Sequence, residues 1–139
     1  MNSKKMGNKR WLAYANTDKC NHIKALKTLG YISWSNESRK FEVGDVVFLY
    51  IRQYRRVIYK TRVERINILR EDTDFWKEQF QQEVKNQLTS RLRLEKIYKG
   101  EELNEEKLSN YGYDGKSIQR PSSKNERLLS YIEQVFDRV

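Results

Sequence analysis

Phe41-Glu42-Val43-Gly44-Asp45-Val46-Val47-Phe48-Leu49-Tyr50-Ile51 is a turn that opens into a strand. Val46 to Ile51 is apolar at every position, the pattern of a central strand covered on both faces. Gln53 to Arg56 is a polar turn, and the run from Val57 to Ile68 is long and β-branched, so the two runs read as a hairpin. Val57, Tyr59, Thr61 and Val63 share one face of the second strand, and Lys60, Arg62 and Glu64 share the other. The apolar phase then shifts to Ile66 and Ile68, which predicts a β-bulge or sharp twist.

Upstream, Arg10 to Ala15 reads as a short strand. Thr17 or Asp18 then caps a helix carrying Ile23, Leu26 and Leu29, with Gly30 as its stop. Tyr31 to Trp34 fits a short strand or an extended loop, and Ser35 to Lys40 is a polar loop. Downstream, residues 70–88 fit either a helix or an ordered loop. Thr89 to Tyr98 alternates as a strand. Asn104 caps a short helix stapled by Leu103 and Leu108, and Tyr111 to Gly115 is a turn-rich loop. After Pro121, Ser123 with Glu126 makes a capping box. Leu128, Leu129, Ile132, Val135 and Phe136 form one apolar stripe on a terminal helix. This order of elements predicts one α+β domain over residues 10–139, built on a curved sheet or small barrel, behind a flexible basic arm at 1–9.

The 139 residues suffice for a single modest core, and 12% aromatic residues compensate for a hydrophobic share of only 37%. The charge of +9 favours a polyanionic partner, because neutralised phosphates release condensed counterions. Cys20 is the only cysteine, so no intramolecular disulfide or cysteine-rich zinc site is possible. No apolar stretch has the length of a signal-peptide core or a membrane span, and the expected setting is the cytoplasm, with no membrane partner.

Catalysis has little to work with. His22 is the only histidine, and Cys20, two residues before it, points elsewhere on a helix. No glycine-rich phosphate loop is present. The reading is therefore no enzyme, no metal and no cofactor.

The cations and aromatics carry more. Arg52, Arg55, Arg56, Lys60, Arg62 and Arg65 crowd into the hairpin with only Glu64 against them, and a row of this kind suits phosphate contact as well as a solvated sheet face. Trp11 reads as core. Trp34 and Trp76 fall in expected loops, where an indole either anchors the loop or stacks on an exposed base.

Two stretches resemble a known family. Phe41 to Tyr50 with its "VGD" turn, followed by a strand carrying "RVERI" at 62–66, is similar to EVE domains of the PUA-like superfamily. Gly115-Lys116-Ser117-Ile118-Gln119-Arg120-Pro121, ahead of a terminal helix, resembles the "GSIQGP" segment of EVE-like modules in modification-dependent restriction proteins. The resemblance implies a PUA-like (EVE) small twisted β-barrel with flanking helices, and a pocket for a flipped, modified base in DNA or RNA. It implies Tyr14, Asn16, Trp34, Trp76, Ser117 and Gln119 as pocket residues. The aromatic ones would supply stacking faces and the polar ones would discriminate the base edge. It also implies a role in restriction or defence, or in RNA modification, with a separate nuclease or effector protein as partner. A protein-interaction subunit using its basic face stands as the alternative, and a nucleic-acid hydrolase acting through scattered carboxylates as a third reading.

Overall fold

The structure is a computed structural model and describes residues 7–35, 40–118 and 120–139. It is an α+β fold built on one five-stranded sheet. The strands are β1 (Arg10–Ala15), β2 (Tyr31–Ser35), β3 (Val46–Ile51), β4 (Arg56–Leu69) and β5 (Leu88–Ile97), in the order β1-β3-β4-β5-β2. β1 runs parallel to β3, and every other pairing is antiparallel. β1 and β2 are edges and do not pair with each other, so the sheet is a curled half-barrel, nearer the curved sheet than the small barrel of the two forms the sequence allowed.

The β3–β4 hairpin forms as read. β3 is buried at all six positions because each of its faces meets a separate apolar cluster. On one side, Trp11, Val47, Leu49, Ile51, Ile32 and Leu92 pack with Ala25 and Leu26 of helix α1 (His22–Leu29). On the other, Leu12, Val46, Phe48 and Tyr50 pack under α3 (Glu105–Ser109) and α4 (Glu126–Asp137). The predicted bulge in β4 is real: its register with β5 shifts at three places, and Asn67 is left-handed at φ 56°.

The VGD turn acts as an anchor. Gly44 adopts φ 101°, and Asp45 is fully buried. The Asp45 carboxylate accepts from Trp11 Nε1 at 2.9 Å, from the Glu42 amide at 3.0 Å and from the Lys9 amide at 3.1 Å. Gly7 N–H donates to Val43 O and Val46 N–H to Lys9 O, so residues 7–9 of the expected arm are tied to the domain. Residues 1–6 lie outside the described residues.

Three local expectations change. Asn21, not Thr17 or Asp18, caps α1; its side chain accepts from the Lys24 amide, while Asp18 sits in a turn whose amide donates to Asn16 Oδ1. Ser123 does not cap α4. Residues Ser123–Asn125 form a 3₁₀ turn capped by Ser122, and Glu126 pairs with Arg10 instead. The open segment at 70–88 resolves into a 3₁₀ turn (Thr73–Phe75) and α2 (Glu78–Val84).

Candidate nucleic-acid interface

The two edge strands approach the same place from opposite ends of the sheet, and their free backbone groups there are met by side chains and by the backbone of residue 118. At β1, the Tyr14 amide donates to Ser117 Oγ at 2.7 Å and the Ile118 amide to Leu12 O at 2.8 Å, so residues 117–118 cover the free edge. At β2, Asp72 accepts from the Ser33 amide at 3.0 Å, and Arg70 Nη1 donates to Ser33 O at 3.2 Å. Covering exposed strand edges in this way suppresses non-native strand pairing.

Between these closures lies a cavity of about 140 Å³, lined by Tyr14 and Asn16 from the end of β1, Trp34 of β2, His22 at the start of α1, Lys19, Arg70 and Trp76. Four of the six residues proposed for a base pocket therefore share one cavity: Tyr14, Asn16, Trp34 and Trp76. Trp34 belongs to strand β2 and not to a loop. Ser117 lines a different depression and serves the β1 edge. Gln119 lies outside the described residues.

Trp76 follows the 3₁₀ turn and is pinned by its neighbours. It forms an isolated bridge with Cys20, and the flanking backbone bonds run from Asn21 N–H to Phe75 O at 2.8 Å and from Lys77 N–H to Lys19 O at 3.0 Å. Its indole Nε1 donates to Asp72 Oδ1 at 3.2 Å, and the Arg70 guanidinium sits 4.7 Å over its ring. Arg70 and Asp72 form a buried ion pair at 2.8 Å, with side chains 2% and 0% exposed. A buried pair depends on partners for its remaining polar atoms; the Ser33 backbone, the Trp76 indole and Gln87 Oε1 supply them here, while Arg70 Nε has none among the described residues.

His22 floors the cavity, its ring 5.8 Å from that of Trp34 and 6.3 Å from that of Trp76. Burial pushes its pKa down to about 4, with the Asp72 charge opposing and the Arg70 charge reinforcing the shift. At neutral pH the imidazole is uncharged. Burial likewise pushes the Cys20 thiol up to about 12, which makes it a poor nucleophile. The cavity thus offers aromatic faces, an uncharged imidazole and the Lys19 cation at its margin, a set suited to a flat neutral ring attached to an anionic chain.

Sequence reasoning missed His22, Lys19 and Arg70 as cavity residues. His22 is placed by the Asn21 cap, which makes it the first residue of α1. Arg70 is placed by a partner two residues on, and no periodicity signals either.

The hairpin cations do not form an open row, because acids distant in sequence meet them. Arg52 pairs with Asp18, Arg55 with Glu105, Arg56 with Glu101, and Arg62 with Glu95, which also lies near Lys60. Glu64, the one acid counted against them, pairs with Arg93 and Arg91 instead, and the hydrogen bonds it accepts from them hold its pKa down at about 2. Arg65 stands opposite Arg91 in the β4–β5 register. Of the six, Arg52 and Arg55 border a second cavity that shares Tyr14 with the first.

The half-barrel with helices on its faces is similar in fold to a solved YTH domain. The match is to the crystal structure of the Pho92 YTH domain in complex with m6A, with a TM-score of 0.58 at 16% sequence identity, over 96% of this chain and 87% of that one. At that identity the likeness is one of fold. No protein-family model matches the sequence, so the EVE resemblance has no family assignment behind it. No curated protein matches it either.

Proposed function

We propose that this chain is a nucleic-acid-binding module, related to the PUA-like readers, that takes one modified base into the cavity between Trp34 and Trp76. The observation that carries the reading is the convergence of Tyr14, Trp34 and Trp76 on a single cavity in a fold whose solved counterpart was crystallised with m6A. The size of the cavity supports it. An enclosed cavity of about 150 Å³ accepts a benzene ring, whereas drug-sized ligands occupy roughly 300–1,000 Å³. The space here, about 140 Å³, is of the smaller size, that of a single planar ring system. Its charge supports it too. Cages for methylated ammonium ligands rely on the negative faces of aromatic rings to attract a cation, whereas Lys19 at this cavity disfavours one.

The reading is of binding and not of catalysis. The thiol is protonated and the imidazole is neutral and buried. Among the described residues no group of three metal-ligating side chains comes together.

The test is fluorescence anisotropy with short DNA and RNA oligonucleotides, each unmodified or carrying methylated adenine, methylated cytosine or hydroxymethylated cytosine. The expected result is preference for one modified strand. Trp34→Ala and Trp76→Ala should each weaken it by about 1–3 kcal/mol, the value of one base–aromatic stack. Equal affinity for every strand, unaffected by either substitution, would defeat the proposal.

A further inference from the structure

The cavity beside the base cavity is lined by Tyr14, Tyr50, Arg52, Arg55, Glu105 and Gly115 and has a volume of about 390 Å³. Tyr14 is a wall of both cavities. A chain whose base enters the first therefore meets the second without leaving the surface. We infer that this second cavity is a subsite for the backbone phosphodiester next to the caged base, held by Arg52 and Arg55; the inference rests on the base-cavity reading above.

The donors are present and available. The ion pair of each arginine runs through Nε, at 3.2 Å to Asp18 for Arg52 and at 2.9 Å to Glu105 for Arg55. The terminal amino groups of both arginines, four N–H donors apiece, make no hydrogen bond among the described residues. Both side chains are open to solvent, 50% and 75% exposed. A planar fork of this kind matches two phosphate oxygens.

The site is also held in place. Glu105 Oε2 accepts from Arg55 Nε at 2.9 Å and from the Tyr50 hydroxyl at 3.0 Å, so a single carboxylate orients the arginine against the aromatic wall. The Tyr50 ring stacks on Tyr14 at 5.4 Å and 18°, which stiffens the wall shared with the base cavity. Arg55 itself adopts φ 52° in the turn between β3 and β4. Glycine occupies that backbone region at less cost, so the arginine is there in spite of the backbone. The Glu105 pair alone does not account for it, since exposed pairs contribute little to stability.

Three ligands separate the elements of the claim in a calorimetric titration: the preferred methylated nucleoside, which has no phosphate; its 5′-monophosphate; and a trinucleotide with the same base at its centre. The proteins are wild type, Arg52→Ala, Arg55→Gly (which suits φ 52° and keeps the turn) and Trp34→Ala, each checked for an unchanged melting temperature. Wild type should bind the trinucleotide about tenfold or more tightly than the nucleoside, the scale of one charge-assisted contact. Arg52→Ala and Arg55→Gly should lose that gain and bind the nucleoside as wild type does. If both arginine variants bind the trinucleotide as wild type does while Trp34→Ala does not, the subsite is wrong and the base cavity stands. If Trp34→Ala binds all three ligands as wild type does, the base cavity is wrong and the subsite falls with it. A gain seen equally with the monophosphate and the trinucleotide would place a terminal phosphate in the subsite and overturn the assignment to an internucleotide linkage.

Discussion

Asp72 holds the site together through three donors of different kinds, the Arg70 guanidinium, the Trp76 indole and the Ser33 amide. Its replacement by Ala leaves Arg70 charged and buried with no carboxylate. That should destabilise the protein by about 3–5 kcal/mol, read as a shift in the denaturant midpoint; a shift under 1 kcal/mol would mean that water or a neighbour takes its place. His22 makes a second prediction. Its folded pKa of about 4 lies below the ordinary 6.5, so the unfolded chain takes up a proton in that interval that the folded protein refuses. The stability it allows is complete above pH 6.5 and declines as pH falls to about 4, with a slope of at most about 1.4 kcal/mol per pH unit. His22→Gln should flatten that limb in melts between pH 6.5 and 4.5. An unchanged limb would assign it to other groups. The loss of the bonds that Glu64 accepts from Arg93 and Arg91 falls lower, between 4.5 and about 2. At this scale the sequence was half legible. Tyr14, Asn16, Trp34 and Trp76 could be singled out by residue type and by resemblance, but which way each one faces depends on a pairing with residues far along the chain.

The hairpin and the terminal helix were readable because their signals are local. Val46 to Ile51 is apolar throughout, the β4 phase shift marks its own bulge, and the α4 stripe repeats at helical spacing. β2 was ambiguous because five residues are too few for a period, and 70–88 because a 3₁₀ turn and a two-turn helix have none. Asp45 ties these elements to one another. Asp45→Ala would strip an acceptor from the Trp11 indole and from the Glu42 and Lys9 amides at once. Bonds to a charged group are worth about 1.5–3 kcal/mol each, so a loss of about 3 kcal/mol or more is expected in denaturant unfolding. A loss below 1 kcal/mol would show that the VGD turn does not anchor β1.

At the scale of the whole molecule, charge proves a poor guide to contact. The chain carries +9, yet acids from other elements neutralise most of the hairpin row. Composition could not foresee this, because Asp18, Glu95, Glu101 and Glu105 are distant in sequence. The consequence appears in salt. Six phosphate contacts to a single strand imply a slope of log affinity on log salt of about −4, and the two at the second cavity about −1.4. The shallow slope is the expected one for a short oligonucleotide, and a slope near −4 would restore the whole hairpin as the contact surface.

The central claim is that Trp34 and Trp76 receive a modified base, and the three indole N–H resonances test it most directly. Trp11 is an internal control, buried at 2% exposure, bonded to Asp45 and not part of the cavity lining. Titration with the preferred modified oligonucleotide should move the Trp34 and Trp76 signals and leave that of Trp11 in place. If the three signals stay put while binding is saturated, or move together, the base does not enter this cavity.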